Sequence, residues 1–457
     1  MHRRMNRFVF PVTAAISAVL IAACGKDSTT LTTSTPVATP DITKVNHIVV
    51  IYLENRAFDN TYGEFPGAEG LDGSTTAAKQ ISASGAVYTT LPQVAGQPYP
   101  TNLPNTSFDI ALYNPPTIPH RDLVHRWYQE QQQIDGGKMD KFVQISDAEG
   151  LSMGYYHTSI LPLAAEAAKY TLCDHFFHSA FGGSFLNHQF LIAAAAPTFP
   201  NAPASVVAVV DGSGNLVTDG FVTPDGYAVN TAYTVNNPHP STTPANQLVP
   251  NQTNPTIGDR LNDANVNWAW YSGGWNAALA GNPDPLFQFH HQPFAYFTKY
   301  ADGTALKAAH LKDETDFMAA AAAGTLPPVS FVKPIGANNE HGGYADIMSG
   351  EYHTLQLINA VRNGPNWNDA IIIVTYDENG GFWDHVAPPI KDKWGPGTRV
   401  PAIIISPFAK KGYVNQNSLE TLSILKLIET RYKLPALGTR DAGAGDLLTS
   451  FDFTQKP

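Results

Sequence analysis

The sequence predicts an α/β fold, a central and mostly parallel sheet flanked by helices, with an inserted accessory region. Three observations carry this. Ile48-Val49-Val50-Ile51 and Ile371-Ile372-Ile373-Val374 are unbroken β-branched runs without polar alternation, the pattern of interior parallel strands covered on both faces. From Val45 onward, short apolar runs alternate with helical stretches, the order of an α/β chain. A helix over 351–362, with Leu355, Ile358 and Val361 on one face and Gly364-Pro365 behind it, feeds into the second run; helix followed by strand is half of a βαβ unit.

Taken in order, the clearest strands are His47–Leu53, Ala370–Tyr376 and 401–406, with weaker candidates over 206–210 and 267–271. A further helix is predicted over 185–196, ended by Pro197. Residues 195–256 are rich in Pro, Asn, Thr and Gly and read as an insertion or small accessory subdomain without evident chemistry. The 457-residue chain is 43% hydrophobic and 15% charged, a globular composition able to bury one large core or two modest ones. Its formal charge is −11, and it has no run of five basic residues. That argues against non-specific binding of nucleic acid.

Residues 1–23 read as a processing segment. Arg3, Arg4 and Arg7 are followed by a mostly apolar stretch over 8–20, the length of a signal h-region and short for a membrane span. Leu20-Ile21-Ala22-Ala23-Cys24-Gly25 resembles a bacterial lipobox, so Cys24 is the expected lipidation site; an ordinary signal peptide is the alternative. Residues 24–44, rich in Ser, Thr and Pro, form a tether, and 45–457 form the folded domain. The expectation is an exported, membrane-anchored bacterial lipoprotein. Gly25 in place of Asp favours the outer membrane and periplasm. Cys24 and Cys173 are the two cysteines, so a lipidated Cys24 leaves Cys173 as a buried apolar residue with no disulfide partner.

Ligands in open α/β sheets bind beyond the carboxyl ends of strands. Two strands deliver acids there, Glu54-Asn55-Arg56 after the first and Asp377-Glu378-Asn379-Gly380-Gly381 after the second. Each cluster alone is also what helix caps and turns leave behind. Together, three carboxylates call for a bound cation, and oxygen ligands suit Mg, Ca or Mn, with Zn possible. The third element is Gly182-Gly183-Ser184 at the start of a helix, where backbone N–H groups and the helix dipole favour a phosphate. Ser184 alone is also an ordinary N-cap. A metal held by Glu54, Asn55, Asp377 and Glu378 could touch its hydroxyl and activate it as a nucleophile. Asn187 and His188 fall on the same helical face. His125, the tandem His290-His291, His341 and His385 complete the candidates. With Arg56 but no lysine cluster in these loops, protonated histidines are expected to offset the charge, placing the working pH below neutral.

Asn46-His47-Ile48-Val49-Val50-Ile51-Tyr52-Leu53-Glu54-Asn55-Arg56 and Thr375-Tyr376-Asp377-Glu378-Asn379-Gly380-Gly381-Phe382-Trp383-Asp384-His385 resemble the signatures of the bacterial acid phosphatase and phospholipase C phosphoesterases. Gly136-Gly137-Lys138-Met139-Asp140 and Phe451-Asp452-Phe453 fit as well. The resemblance implies an alkaline-phosphatase-like core and one divalent metal on Glu54, Asn55, Asp377, Glu378 and Ser184. It also implies that Ser184 is the nucleophile, that Asn187 and His125 hold phosphate, that His290 and His291 sit beside it, and that His341 is the leaving-group acid. Ser184 and His188 stand where the phospholipase branch tends to carry Thr and Arg, so the chain is similar to the acid phosphatase branch. Three readings follow. The first is a phosphate monoesterase with a phosphoserine intermediate. The second is a phospholipase C-type diesterase, and the third a non-catalytic lipoprotein that binds a phosphorylated solute. The implied partners are a phosphate ester and, through lipid on Cys24, a membrane.

Overall fold

The computed structural model describes residues 41–71 and 79–457. Cys24, the signal segment and most of the tether lie outside the described residues. Eight strands form the central sheet: β1 (His47–Leu53), β2 (Thr171–Cys173), β3 (Trp268–Ser272), β4 (Leu311–Asp313), β5 (Val329–Lys333), β6 (Ala370–Tyr376), β7 (Ala402–Ile405) and β8 (Tyr413–Asn415). Their order is β8-β2-β7-β6-β1-β5-β3-β4. Only β7 runs against its neighbours β6 and β2; the other pairings are parallel. Helices of seven or more residues are α1 (Trp127–Ile134), α2 (Ser184–Ala193), α3 (Ile257–Asp263), α4 (Glu314–Ala323), α5 (Ile347–Arg362) and α6 (Thr421–Tyr432).

The two β-branched runs form β1 and β6, and apart from His47 every residue in them is buried. Each fully buried Ile or Val there contributes about 1.5–3 kcal/mol relative to exposure. They pair from His47 with Ala370 to Leu53 with Tyr376. The next residues, Glu54 and Asp377, therefore leave the sheet side by side. The strand predicted over 401–406 is β7, and that over 267–271 is β3, shifted by one residue. The helix predicted over 351–362 starts earlier, at Ile347, because Asp346 caps it by accepting from Ser349 N at 2.9 Å. The helix predicted over 185–196 spans Ser184–Ala193 and ends at Ala194 in the left-handed conformation, φ 51°.

The candidate over 206–210 is not a strand of this sheet. Val206 and Ala208 turn into the core, while Val209–Val210 pairs only with Leu216–Thr218 in a surface hairpin. Within 195–256 the backbone is largely turns and short 3-10 segments. Val206, Ala208, Val222, Ala228 and Val249 nevertheless join the main core. Cys173 is fully buried in β2, and burial pushes its thiol up to about 12. No helix among the described residues is long and apolar enough to cross a membrane.

Candidate active site

The site lies at the carboxyl ends of four adjacent strands, β6, β1, β5 and β3. Asp377 follows β6, Glu54 follows β1, Lys333 ends β5 and Ser272 ends β3. Glu54 N donates to Asn339 O at 3.0 Å, tying this edge to the loop that carries His341. Ser184 arrives from the other side on α2. Gly182, at φ 85°, has its Cβ position 2.4 Å from Trp127 N, and that of Gly183 lies 2.8 Å from His125 O. Side chains at either position would push the turn off its neighbours, so both glycines are steric requirements for seating Ser184.

Ser184 Oγ donates to Glu54 Oε2 at 3.1 Å. The other oxygen of Glu54 faces Lys333 Nζ at 2.5 Å and His291 Nε2 at 2.7 Å. Burial alone would raise Glu54; His291 and Lys333 outweigh it and hold the carboxyl well below its ordinary range. Asp377 behaves oppositely. Burial and the nearby Glu54 push it up to about 7, outweighing the nearby Lys333 ammonium. Its Oδ1 accepts from Asn55 N at 3.2 Å and Glu378 N at 2.8 Å. Burial and Asp377 also raise Glu378, whose Oε2 accepts from Gly380 N at 2.5 Å.

Asn55 Oδ1, Asp377 Oδ2 and Glu378 Oε1 are buried oxygens without a hydrogen bond, whereas Glu54 Oε1 is in close ion-pair contact with Lys333 Nζ and His291 Nε2. Buried acceptors are normally satisfied, and oxygens of this kind suit a divalent cation; among the described residues, however, Asp377 and Glu378 belong to no group of three His, Asp or Glu ligand atoms within 4.8 Å of one another. His125 Nδ1 sits 2.5 Å from the Leu123 carbonyl and donates to it; with the ring neutral, Nε2 accepts from Asn55 Nδ2 at 3.3 Å and Oδ1 is left free. A second donor set shares Glu54, since ligand atoms of Glu54, His188 and His291 lie within 4.8 Å of one another. His188 Nδ1 donates to Ser184 O at 2.7 Å, which leaves a lone pair on its buried, unpartnered Nε2.

The histidines surround this centre. His188 stacks on His291 at 5.0 Å between centroids, and His290 lies 6.4 Å from His188. Trp270 Nε1 donates to His291 O at 2.9 Å. His125 meets His341 edge-on at 5.5 Å, and ligand atoms of both cluster with Asp122. His341 stacks on Tyr344, and its Nδ1 donates to Gly342 O. Asn187 does not point a free amide at a ligand. Its Oδ1 accepts from Ala180 N at 3.0 Å, and its Nδ2 donates to Ala180 O at 2.9 Å and Gly182 O at 3.2 Å, bracing the turn before Ser184. The third candidate cluster, Asp59, Asp384 and His385, is closed by Arg399, which pairs with Asp384 at 2.8 Å and Asp59 at 3.1 Å.

Two expectations about positive charge are revised. Burial lowers His188, His290 and His341, and lowers His291 to about 4, so these rings are neutral at neutral pH in the metal-free protein. Arg56 is fully buried and faces away from the seat, with Nη1 donating to His120 Nε2 at 2.6 Å and Nη2 to Glu340 O at 2.6 Å. The cation present is Lys333, which no motif marks. Sequence reasoning also missed Glu130 on α1. It accepts from Gly182 N at 2.6 Å, Thr398 N at 3.1 Å and His178 Nε2 at 2.8 Å, clamping the Ser184 turn. Glu130→Ala should lower kcat about 10- to 100-fold, as loss of a residue supporting a catalytic group does. Steady-state kinetics beside a circular dichroism spectrum would check this; an unchanged kcat would remove Glu130 from the positioning role.

The chain belongs to the phosphoesterase family, which matches residues 45–435. It is similar to phospholipase C A of Mycobacterium tuberculosis, 26% identical over 459 residues, covering 91% of this chain and 79% of that protein. It is also similar to the non-hemolytic phospholipase C of Pseudomonas aeruginosa, at 25% identity, 90% of this chain and 57% of that protein. Non-specific phospholipase C6 of Arabidopsis thaliana is 24% identical over 405 residues, covering 81% and 63%. Among solved structures it is similar to a protein in the alkaline phosphatase superfamily from Vibrio parahaemolyticus, with TM-score 0.36 and 10% identity over 75% of this chain and 74% of that one.

Proposed function

We propose that the protein is a phosphate monoesterase that forms a phosphoserine on Ser184. The observation that carries this reading is the hydroxyl of Ser184. It is buried at the start of a helix and bonded to Glu54, with three other unsatisfied acceptor oxygens at the same strand exits. Glu54, Asn55, Asp377 and Glu378 would hold one divalent cation. When bound, it supplies Lewis-acid stabilisation of the hydroxyl and of the phosphoryl oxygens. Glu54, kept ionised by His291 and Lys333, aligns the Ser184 hydroxyl as a hydrogen-bond acceptor. Ser184 opens α2, and the N-terminus of a helix is a favourable seat for phosphoryl oxygens. As the Ser184 Oγ–P bond forms and the ester P–O bond breaks, the hydroxyl proton passes to Glu54 Oε2, to which it is hydrogen-bonded, and His341 Nε2–H protonates the departing oxygen. The neutral ring then takes a proton from the water that attacks phosphorus, and the Ser184 Oγ–P bond breaks as Glu54 returns its proton to Oγ.

A general acid must be protonated, and His341 is held below the ordinary histidine value of about 6.5 by burial. Activity should therefore fall as pH rises through that lowered value, giving an optimum on the acid side of neutral. The phospholipase C names of the relatives favour a second reading, a diesterase acting on phospholipid. The comparison that separates them is kcat/KM for a phosphate monoester against phosphatidylcholine, from about pH 4 to 9. Preference for the phospholipid, or an optimum above about pH 8, would transfer the protein to that reading. Absence of turnover on both would leave a phosphorylated-solute receptor.

We also propose that Cys24 carries lipid and anchors the protein to the outer membrane of the exporting cell. The charged start and the Leu20-Ile21-Ala22-Ala23-Cys24 sequence support it. Cys24→Ser should move the protein from the membrane to the soluble fraction; a wild-type protein already soluble and starting at another residue would refute it.

A further inference from the structure

Lys333 is the last residue of β5, fully buried, and paired in register with Ser272 of β3. Its Nζ lies 2.5 Å from Glu54 Oε1, 3.3 Å from Leu53 O, to which it donates, and 3.9 Å from Asp377 Oδ2. It also stands 5.3 Å from the centre of the Tyr52 ring. One ammonium thus reaches two of the three carboxylates from within the sheet. A buried charge of this kind is costly unless it is paired, and a neutral donor would have satisfied Glu54. His291 Nε2 is already 2.7 Å from the same oxygen. What the ammonium adds is charge.

We propose that Lys333 is a specificity-determining residue that sets the site's net charge so that it accepts a phosphoryl dianion rather than a diester monoanion. The inference rests on the monoesterase reading. Glu54, Asp377 and Glu378 with a divalent cation leave one net negative charge, which disfavours a dianion. With Lys333 the loaded site is neutral, and an incoming dianion meets no net repulsion. A diester brings a single charge and depends less on this balance. The same ammonium opposes the cation, so it weakens metal binding while strengthening phosphate binding. Those two effects have opposite signs, and a residue that merely props up Glu54 would not produce both.

The test is Lys333→Met, purified and stripped of metal. By calorimetry it should bind Mn2+ about tenfold more tightly than wild type, and its Mn2+-loaded form should bind inorganic phosphate about tenfold more weakly. In turnover, kcat/KM for p-nitrophenyl phosphate should fall about tenfold or more while that for bis(p-nitrophenyl) phosphate stays within about threefold. Weaker Mn2+ binding, or equal losses on both esters, would overturn the proposal. Should the methionine variant fail to fold, Lys333→Arg keeps the charge and should hold the ester ratio within about threefold of wild type; collapse of the ratio would overturn it equally. The wild-type ester ratio tests the monoesterase reading, whereas its change in the variant tests Lys333, so either can fail alone.

Discussion

Ser184→Ala should lower kcat/KM for a phosphate monoester by at least about 10⁴-fold, because removing a covalent nucleophile eliminates the two-step path. The fold should tolerate the change. Ser184 is a small residue at the start of α2, its helix is buried along its whole length, and the turn before it is braced by Asn187 and Glu130 rather than by the hydroxyl. The hydroxyl's own hydrogen bond goes to Glu54, which keeps Lys333 and His291 as partners after the substitution. Metal binding should therefore persist with a modest loss, and a thermal melt should move by only a few degrees. The second readout is chemical. Acid-quenched wild-type enzyme should carry phosphate on Ser184, seen as a mass increase confined to the peptide that contains it. Phosphate on another residue, or a Ser184→Ala variant turning over at near wild-type rate, would assign the chemistry elsewhere.

The parts legible in the sequence are those with long local patterns. β1 and β6 each fill seven residues with an apolar run, and their exits carry acids whose meaning comes from the strand before them. The Ser184 turn is legible because two glycines precede a helix. β2, β4 and β8 are three residues each, too short for any periodicity to register. β5 ends in Lys333, a residue that reads as the polar end of an apolar run and is in fact buried against Glu54, 279 positions away in sequence. Glu130 is equally silent, one acid in a glutamine-rich helix whose partners His178, Gly182 and Thr398 come from distant segments. The histidine set could be named, but not its charge, since desolvation depends on how completely the fold encloses each ring. Asn187 shows the same limit: helical spacing places it beside Ser184, and only the loop conformation decides that its amide turns back onto residues 180–183.

Asp377→Asn should remove most of the bound divalent metal and reduce activity by about 10³-fold or more. Asp377 Oδ1 is engaged by Asn55 N and Glu378 N, and an asparagine oxygen can accept both bonds, so the backbone geometry at the end of β6 survives. Oδ2 is the unsatisfied atom. Replacing it with an amide nitrogen puts a donor where a cation ligand is needed. The pH dependence follows from the raised carboxyl. Without metal, Asp377 titrates at about 7 because of burial and the charge on Glu54. Metal binds the carboxylate form, so binding to the stripped wild type releases this proton at and below that pH. Apparent metal affinity should then weaken as pH falls through 7, with the raised carboxyl of Glu378 adding a second proton to be displaced. The residual affinity of Asp377→Asn should lack the Asp377 step. The sign for stability is opposite. A carboxyl raised in the fold lowers stability as pH rises from its unfolded value towards 7, so the metal-free variant should melt no lower than metal-free wild type at pH 8. Metal analysis, calorimetry across pH and thermal melts on the same preparations measure all three. A variant that keeps its metal, or whose metal affinity still carries the step near pH 7, would move the ligand role from Asp377 to the set formed by Glu54, His188 and His291.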